Sequence, residues 1–411
     1  MRRRILAGGA VGLALTLALA ACGSPEPGEP AAARTGRSLV VWVDEARAGA
    51  LEGLAGPYGA EAGVAIDVVP QTSETLRDAY VRAVSQGEGP DVLVGAHDWL
   101  GELVTNGVVQ PVELAEPDAF APAAVEAMTY DGVTYGTPLS IESVALVRNN
   151  ALATTTPATF DGVVAQGEAL VAAGRATRPV LVQQGEGGDP YHLYPVQTSF
   201  GAPAFRADED GSYTTELALG GEAGHAFARF LGSLAERDVL DPAVTSDVAT
   251  QAFRAGESPY VLTGPWSTAA FVEAGMDIAV LPVPPAGDLP AQPFVGVQGA
   301  FVNNLSLHQE DARAFVGDFL ATPEAQLALY RATSRAPALT AALDRITDDP
   351  VTTGFADAGA QGAPMPAIPQ MGMVWLYWGS TEASIARGEG DPAALWDQMV
   401  HNIEASIAAE L

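Results

Sequence analysis

Three short apolar runs, separated by helical sequence, constrain this chain more than any other feature. Leu39–Val43 (LVVWV), Val64–Val69 and Asp91–Gly95 each read as a buried strand. Between the second and third lies a helical pattern, with Ser73 as N-cap, Glu74 in the first turn, apolar Leu76, Tyr80, Ala83 and Val84, and Gly87 as the stop. Strands alternating with helices at about 25-residue spacing imply β-α-β units and a mostly parallel sheet. Such sheets hold ligands beyond the carboxyl ends of their strands. That singles out Asp44, Glu45 and Arg47 after the first run, and His97, Asp98 and Trp99 after the third. The second half carries more helix. Thr322-Pro323-Glu324 reads as an N-cap, a proline at the first helical position and an acid in the first turn. Asp391-Pro392 opens another helix, with Leu395, Trp396, Met399, Ile403 and Ile407 on one face. Ser258–Leu262 and Ile278–Leu281 read as strands, and Pro-rich Pro282–Pro293 as a crossing between lobes.

Composition narrows the function classes. At roughly 150 residues per domain, 411 residues suggest two or three domains. Apolar residues make up 48% and charged residues only 17%, which excludes global disorder. The formal net charge is −30 and no basic patch offsets it, so nucleic acid is not an expected partner. Every Lys-or-Arg position is Arg, which removes Schiff-base, P-loop and general-base lysine chemistry. The motifs H-E-x-x-H, G-x-S-x-G, C-x-x-C, the P-loop and G-x-G-x-x-G are absent. His97, His192, His225, His308 and His401 lack metal-ligand spacing. Neither metal, cofactor nor catalytic residue is expected. A pair of carboxylates of the glycosidase kind stays open, because 50 acids always supply candidates.

The N-terminus explains the single cysteine. Three arginines in Met1–Arg4 precede an apolar stretch, Ile5–Ala21, ending Leu19-Ala20-Ala21-Cys22. A positive segment, an apolar segment and small residues before a cut make a secretory signal. Cysteine directly after Leu-Ala-Ala resembles a bacterial lipobox, which implies cleavage after residue 21 and lipidation of Cys22. The following stretch, residues 22–37, reads as a flexible tether rich in Pro, Gly and Glu. The body is then expected outside the cytoplasmic membrane, anchored to its outer face through Cys22.

Six segments in order carry a family resemblance. Gly89-Pro90-Asp91-Val92-Leu93, running into Ala96-His97-Asp98, is similar to a motif of the maltose/maltodextrin-type extracellular solute-binding proteins of ABC transporters. Tyr135–Glu142 (YGTPLSIE), Gly188–Tyr191 (GDPY), Gly256–Trp266 (GESPYVLTGPW), Phe294–Gly299 (FVGVQG) and Met365–Met371 (MPAIPQM) follow in the same order. Each motif is weak alone; six in order, behind a lipoprotein-type signal, are specific. The resemblance implies an α/β fold of two lobes, each discontinuous in sequence, joined by hinge strands around a central ligand cleft. Mapped onto this chain, lobe 1 is residues 38–140 plus 299–345 and lobe 2 is 143–295 plus 350–411. A monomer that closes on an oligosaccharide and docks on ABC permease subunits is what the family implies.

The residue types suit a sugar. A pyranose has an apolar face that wants an aromatic plate, and a rim of hydroxyls that wants carboxylates, Arg and amides. Covering about 50 Å² of ring face at about 25 cal/mol/Å² is worth roughly 1 kcal/mol per plate, so several plates suit a chain of sugars. The resemblance puts Trp99, Trp266, Trp375 and Trp378 at the cleft, joined by Tyr191 and Tyr377, whereas Trp42 and Trp396 read as core. Asp98, Glu142 and Asp189 are the expected polar contacts, with Asp44 and Arg47 after them. Several positions depart from the family pattern. Gly95 stands where a Trp is common, Trp99 where Arg is common, Asp189 where Glu is usual, and Gly379 near the place of a further Arg. Maltose-type glucosides are the expected ligands. Trehalose, cyclodextrins, a polyol phosphate, a metal–anion complex or a polyamine on the same fold stay open, as does a surface-anchored glycoside hydrolase. A phosphate ligand would want an arginine cluster, and no concentrated group of arginines is visible in the sequence.

Overall fold

The computed structural model describes residues 37–410 apart from 209–212 and 347. The expected leader, Cys22 and all of the tether except Arg37 lie outside the described residues. The three apolar runs form the expected parallel ladder: Ser38–Asp44 pairs with Ala65–Gln71 on one side and Val92–Ala96 on the other. The helix between the last two spans Ser73–Ser85, so Ser73 is its first residue, and Thr72 takes the N-cap position without a side-chain bond. Phe294–Val302 joins the ladder from far downstream. It runs antiparallel to both Val92–Ala96 and Gly136–Ser143. Ala336–Pro337 closes that edge, and Ala363–Pro364 pairs with the start of Phe294–Val302. The result is a seven-stranded mixed sheet.

A second sheet of four strands runs Ile278–Leu281, Ala145–Asn149, Tyr260–Thr263, Leu181–Val182. The strand expected from Ser258 begins at Tyr260, because the Ser258 hydroxyl bonds both the N–H and the C=O of Tyr260 and turns the chain there. Only Val144 separates Gly136–Ser143 in the first sheet from Ala145–Asn149 in the second. The chain returns through the Pro-rich stretch, which links Ile278–Leu281 to Phe294–Val302. Each sheet has its own apolar core. One gathers Val41, Leu93, Phe301, Phe315 and neighbours; another gathers Leu146, Phe160, Phe227, Leu262, Trp378 and Trp396. This is a two-lobed α/β fold whose lobes are discontinuous in sequence.

Helix ends follow the sequence. The Thr322 hydroxyl accepts the Ala325 N–H at 3.3 Å, with Pro323 as the first residue of the helix Pro323–Thr333. Asp391 accepts the Ala394 N–H at 2.9 Å, ahead of the helix Pro392–Glu410. That helix buries Trp396, Met399, Ile403 and Ile407, and the Trp396 indole N–H donates to the Leu219 carbonyl at 2.8 Å. Trp42 is partly buried and packs on the first core.

Candidate binding site

The strand Ser38–Asp44 ends on a carboxylate that caps the next helix. Asp44 accepts the Arg47 backbone N–H at 3.2 Å and also pairs with the Arg47 guanidinium. Arg47 Nη2 stands 3.9 Å from Glu142 Oε2. Glu142 lies near the end of Gly136–Ser143, where Gly296 on the neighbouring strand faces it. A Cβ on Gly296 would stand 3.0 Å from Glu142 Cγ and 3.4 Å from the Tyr191 hydroxyl, so glycine makes room for both side chains. Gln298 Nε2 donates to Glu142 Oε1 at 3.1 Å. Arg335 Nε donates to Glu142 Oε2. Arg335 reaches that place because Ala336 pairs with Ile141 in antiparallel register, which sets residue 335 opposite residue 142.

Four charged side chains thus share one buried cluster, Asp44, Arg47, Glu142 and Arg335, each between 5% and 11% exposed. Its charges balance. Burial raises the Glu142 carboxyl, but Arg335, Arg47 and the hydrogen bonds outweigh it and hold the group below the usual carboxylate range. Burial lowers the Arg47 guanidinium, and the like charge of Arg335 adds to this. The arginine group that no stretch of sequence displays is assembled here by the fold.

The aromatic wall comes from the second lobe. Trp266 follows Tyr260–Thr263 in a short turn, Pro265–Ser267. Its benzo ring lies against Gly264, where a Cβ would stand 2.1 Å from the ring. Tyr191 is 6.2 Å from the Trp266 ring and His192 is 5.6 Å away, edge-on. Phe294 links Tyr191 to Trp375, at 6.3 and 6.2 Å. Arg335 stands over Trp266, its Cζ 5.5 Å from the ring centroid. Asp98 lies in the turn His97–Trp99. Burial pushes its carboxyl up to about 6, partly offset by the Arg77 charge and by hydrogen bonding that includes the Trp375 indole N–H. Tyr191 is pushed well up by burial and by the nearby Glu142 and Asp98 charges.

Five polar atoms of these side chains are buried without a hydrogen-bond partner: Arg47 Nη2, Arg335 Nη1, Asp98 Oδ1, the Tyr191 hydroxyl and His192 Nε2. An unmade hydrogen bond at a buried donor or acceptor costs about 1–3 kcal/mol. Such a concentration suits a ligand with many hydroxyls. Among the described residues, no group of three or more His, Cys, Asp or Glu side chains is placed to hold a metal.

The other expected residues lie differently. Trp378 is wholly buried in the second core, its ring 5.8 Å from Tyr194 and 5.4 Å from Trp375. One turn of helix carries Trp375 and Trp378 to different environments. The Tyr377 hydroxyl bonds Ser406 on the C-terminal helix, 3.0 Å away. Asp189 caps the helix Pro190–Thr198: it accepts the His192 N–H at 3.2 Å and His192 Nδ1 at 2.8 Å, while Gln183 donates to its second oxygen. Trp99 lies on Gly95, where a Cβ would stand 2.3 Å from the indole, and packs on the first core. The two departures from the family pattern are therefore one feature, an indole filling space that the glycine leaves open. Arg335 is the residue that sequence reasoning missed; only strand register, which no motif displays, reveals it. Gln298 sits inside the FVGVQG segment, and no short motif marks it as a site residue. A cavity of about 1000 Å³ is lined by His97, next to Asp98, and by Asp118, Glu126, Tyr130, Tyr213, Pro364 and Met365.

Comparison with known proteins agrees with this architecture. Residues 53–355 match the family model described as bacterial extracellular solute-binding protein. A maltotriose-binding protein of Pyrococcus abyssi is 28% identical over 322 residues, 75% of this chain and 68% of that one. A galactooligosaccharide-binding protein of Bacillus subtilis is 23% identical over 410 residues, 97% of this chain and 96% of that one. The structure of a Thermus thermophilus maltotriose-binding protein with maltotriose superposes with a TM-score of 0.81 at 30% identity, covering 90% of this chain and all of that one. On these grounds, with the family model spanning most of the body and the fold shared throughout, the chain belongs to the bacterial extracellular solute-binding proteins.

Proposed function

We propose that this protein captures a short neutral gluco-oligosaccharide of the maltose/maltodextrin type between its lobes and delivers it to an ABC importer, without chemical change. The lobes run as residues 38–140 plus 299–345 and 143–295 plus 350–411. The observation that carries the reading is the meeting of an aromatic wall, Trp266, Tyr191 and Trp375, with buried unpartnered polar atoms on Arg47, Asp98 and Tyr191. Flat apolar plates beside spare donors and acceptors match the two surfaces of a pyranose. The balanced charge of the Asp44, Arg47, Glu142 and Arg335 cluster favours a neutral ligand over a phosphate or a polyamine. Both Glu142 oxygens are occupied by Gln298 and Arg335, an arrangement suited to positioning rather than to nucleophilic attack. Asp44 and Gln298 complete the polar lining. The mature protein works as a monomer outside the cytoplasmic membrane, held through a lipidated Cys22, and presents its closed form to two permease subunits.

The test is calorimetric titration of residues 23–411 against maltose, maltotriose, trehalose, α-cyclodextrin, a galactotriose and glycerol phosphate. We expect micromolar or tighter binding of a maltooligosaccharide, no shortened products on long incubation, and at least tenfold weaker binding in Trp266→Ala and in Trp375→Ala. Silence across the sugars, or wild-type affinity in both variants, contradicts the assignment.

A further inference from the structure

Arg335 occupies two groups that a saccharide would use. Its Nε holds Glu142 Oε2, while Gln298 takes the other oxygen. Its guanidinium stands over Trp266 with Cζ 5.5 Å from the ring centroid. A pyranose stacked between the two would need a van der Waals gap of about 3.5–4 Å on each side, or about 7–8 Å in all. The observed separation is too small. Gly264, Tyr191 and His192 also lie close to the Trp266 ring. A planar cation on an aromatic face, donating to a carboxylate, imitates both contacts of a sugar. One of its nitrogens, Nη1, is buried without a partner, so the guanidinium is not held at every donor.

We infer that Arg335 is an internal occupant of the site, covering the Trp266 plate and the Glu142 carboxylate until a saccharide moves it aside. The inference rests on the reading of Trp266 as a saccharide plate. Arg335 is then a specificity-determining residue: a ligand that uses Trp266 competes with it, and a ligand that stays off that plate does not.

Two measurements test this. Arg335→Gln keeps an amide able to donate to Glu142 and removes the charge over the ring. Calorimetry with maltotriose should show affinity roughly two- to thirtyfold tighter than wild type, the range of a cation–π contact. Unchanged or weaker affinity overturns the inference, weaker binding meaning that Arg335 itself holds the ligand. The second measurement needs no Arg335 variant. In ligand-free wild-type protein the Arg335 Nε–H resonance should be displaced by the Trp266 ring current, return toward the ordinary position in Trp266→Leu, and do the same when maltotriose saturates the wild type. An Arg335 resonance that maltotriose leaves in place overturns the inference. A wild type that binds no sugar contradicts the proposed function instead. The ligand-free spectra then still decide the contact, since an Arg335 shift identical in wild type and Trp266→Leu overturns it.

Discussion

At position 95 the lack of a side chain decides where an aromatic ring goes. The Trp99 indole lies so close to Gly95 that a Cβ would overlap it at 2.3 Å. Gly95→Ala should displace the indole and cost about 1–3 kcal/mol, as overpacking does; chemical denaturation gives the cost, and Trp fluorescence reports the displacement. Unchanged values for both would mean that the ring has an equally good second seat. Glu382 makes a second point about single residues. It is fully buried on the helix Met371–Ala386 with both carboxyl oxygens unpartnered, and burial raises its carboxyl well above the ordinary range, with the Asp189 charge adding to the effect. A raised carboxyl holds its proton in the folded chain after the unfolded chain has lost it. Stability is therefore fully present below the ordinary carboxylate pKa and falls as pH rises above it. Glu382→Gln should remove that decline, so that the variant gains on wild type between pH 5 and 8 in parallel denaturation series; a constant difference across that range contradicts the assignment. Trp378 shows what residue type alone does not tell. It reads as a plate like Trp375, yet three positions along the helix it is core.

Elements were legible where their signals are local. The caps at Thr322 and Asp391, the apolar face of the last helix and the parallel ladder all come from residues a few positions apart. Pairing between distant strands is different. Phe294–Val302 meets Val92–Ala96 and Gly136–Ser143 through registers that no short motif encodes, and Arg335 reaches Glu142 by the same kind of non-local pairing. His97 ties three of these segments together. Its Nδ1 accepts the Val297 N–H at 3.0 Å and its Nε2 lies 3.1 Å from the Met365 carbonyl, so the Nε2–H tautomer satisfies both. Burial pushes the imidazole down to about 4, outweighing the two backbone bonds that act to raise it. The unfolded chain binds a proton at this residue below about pH 6.5, whereas the folded chain stays neutral until about pH 4. Stability contributed by His97 is thus complete above the upper value and is lost as pH falls through that window. A His97→Gln variant should show a shallower loss of stability between pH 6.5 and 4.5 than wild type; equal slopes would contradict the neutral state of the buried imidazole.

On the scale of the whole molecule, the two-lobed fold and the aromatic side of the site were readable, because ordered motifs mark both. The charged side was readable only in part. Asp44, Arg47, Asp98 and Glu142 stand at strand ends or in motifs, but their partner Arg335 is brought in by tertiary pairing. Glu142, on the first sheet, and Arg335, just before its edge strand Ala336–Pro337, meet Trp266 and Tyr191, carried by elements of the second core. A cleft of this kind holds its ligand with groups from both sides, so neither lobe alone would bind well. We propose that a saccharide sits at this meeting place rather than in the cavity near Tyr130 and Tyr213. A crystal structure of residues 23–411 grown with maltotriose tests it most directly. The account predicts sugar density against Trp266, Tyr191 and Trp375, with hydroxyls bonded to Asp98 and Arg47 and the Arg335 guanidinium moved off the Trp266 ring. Density confined to the cavity lined by Asp118, Tyr130 and Tyr213, with the Arg335–Trp266 contact intact, would contradict it.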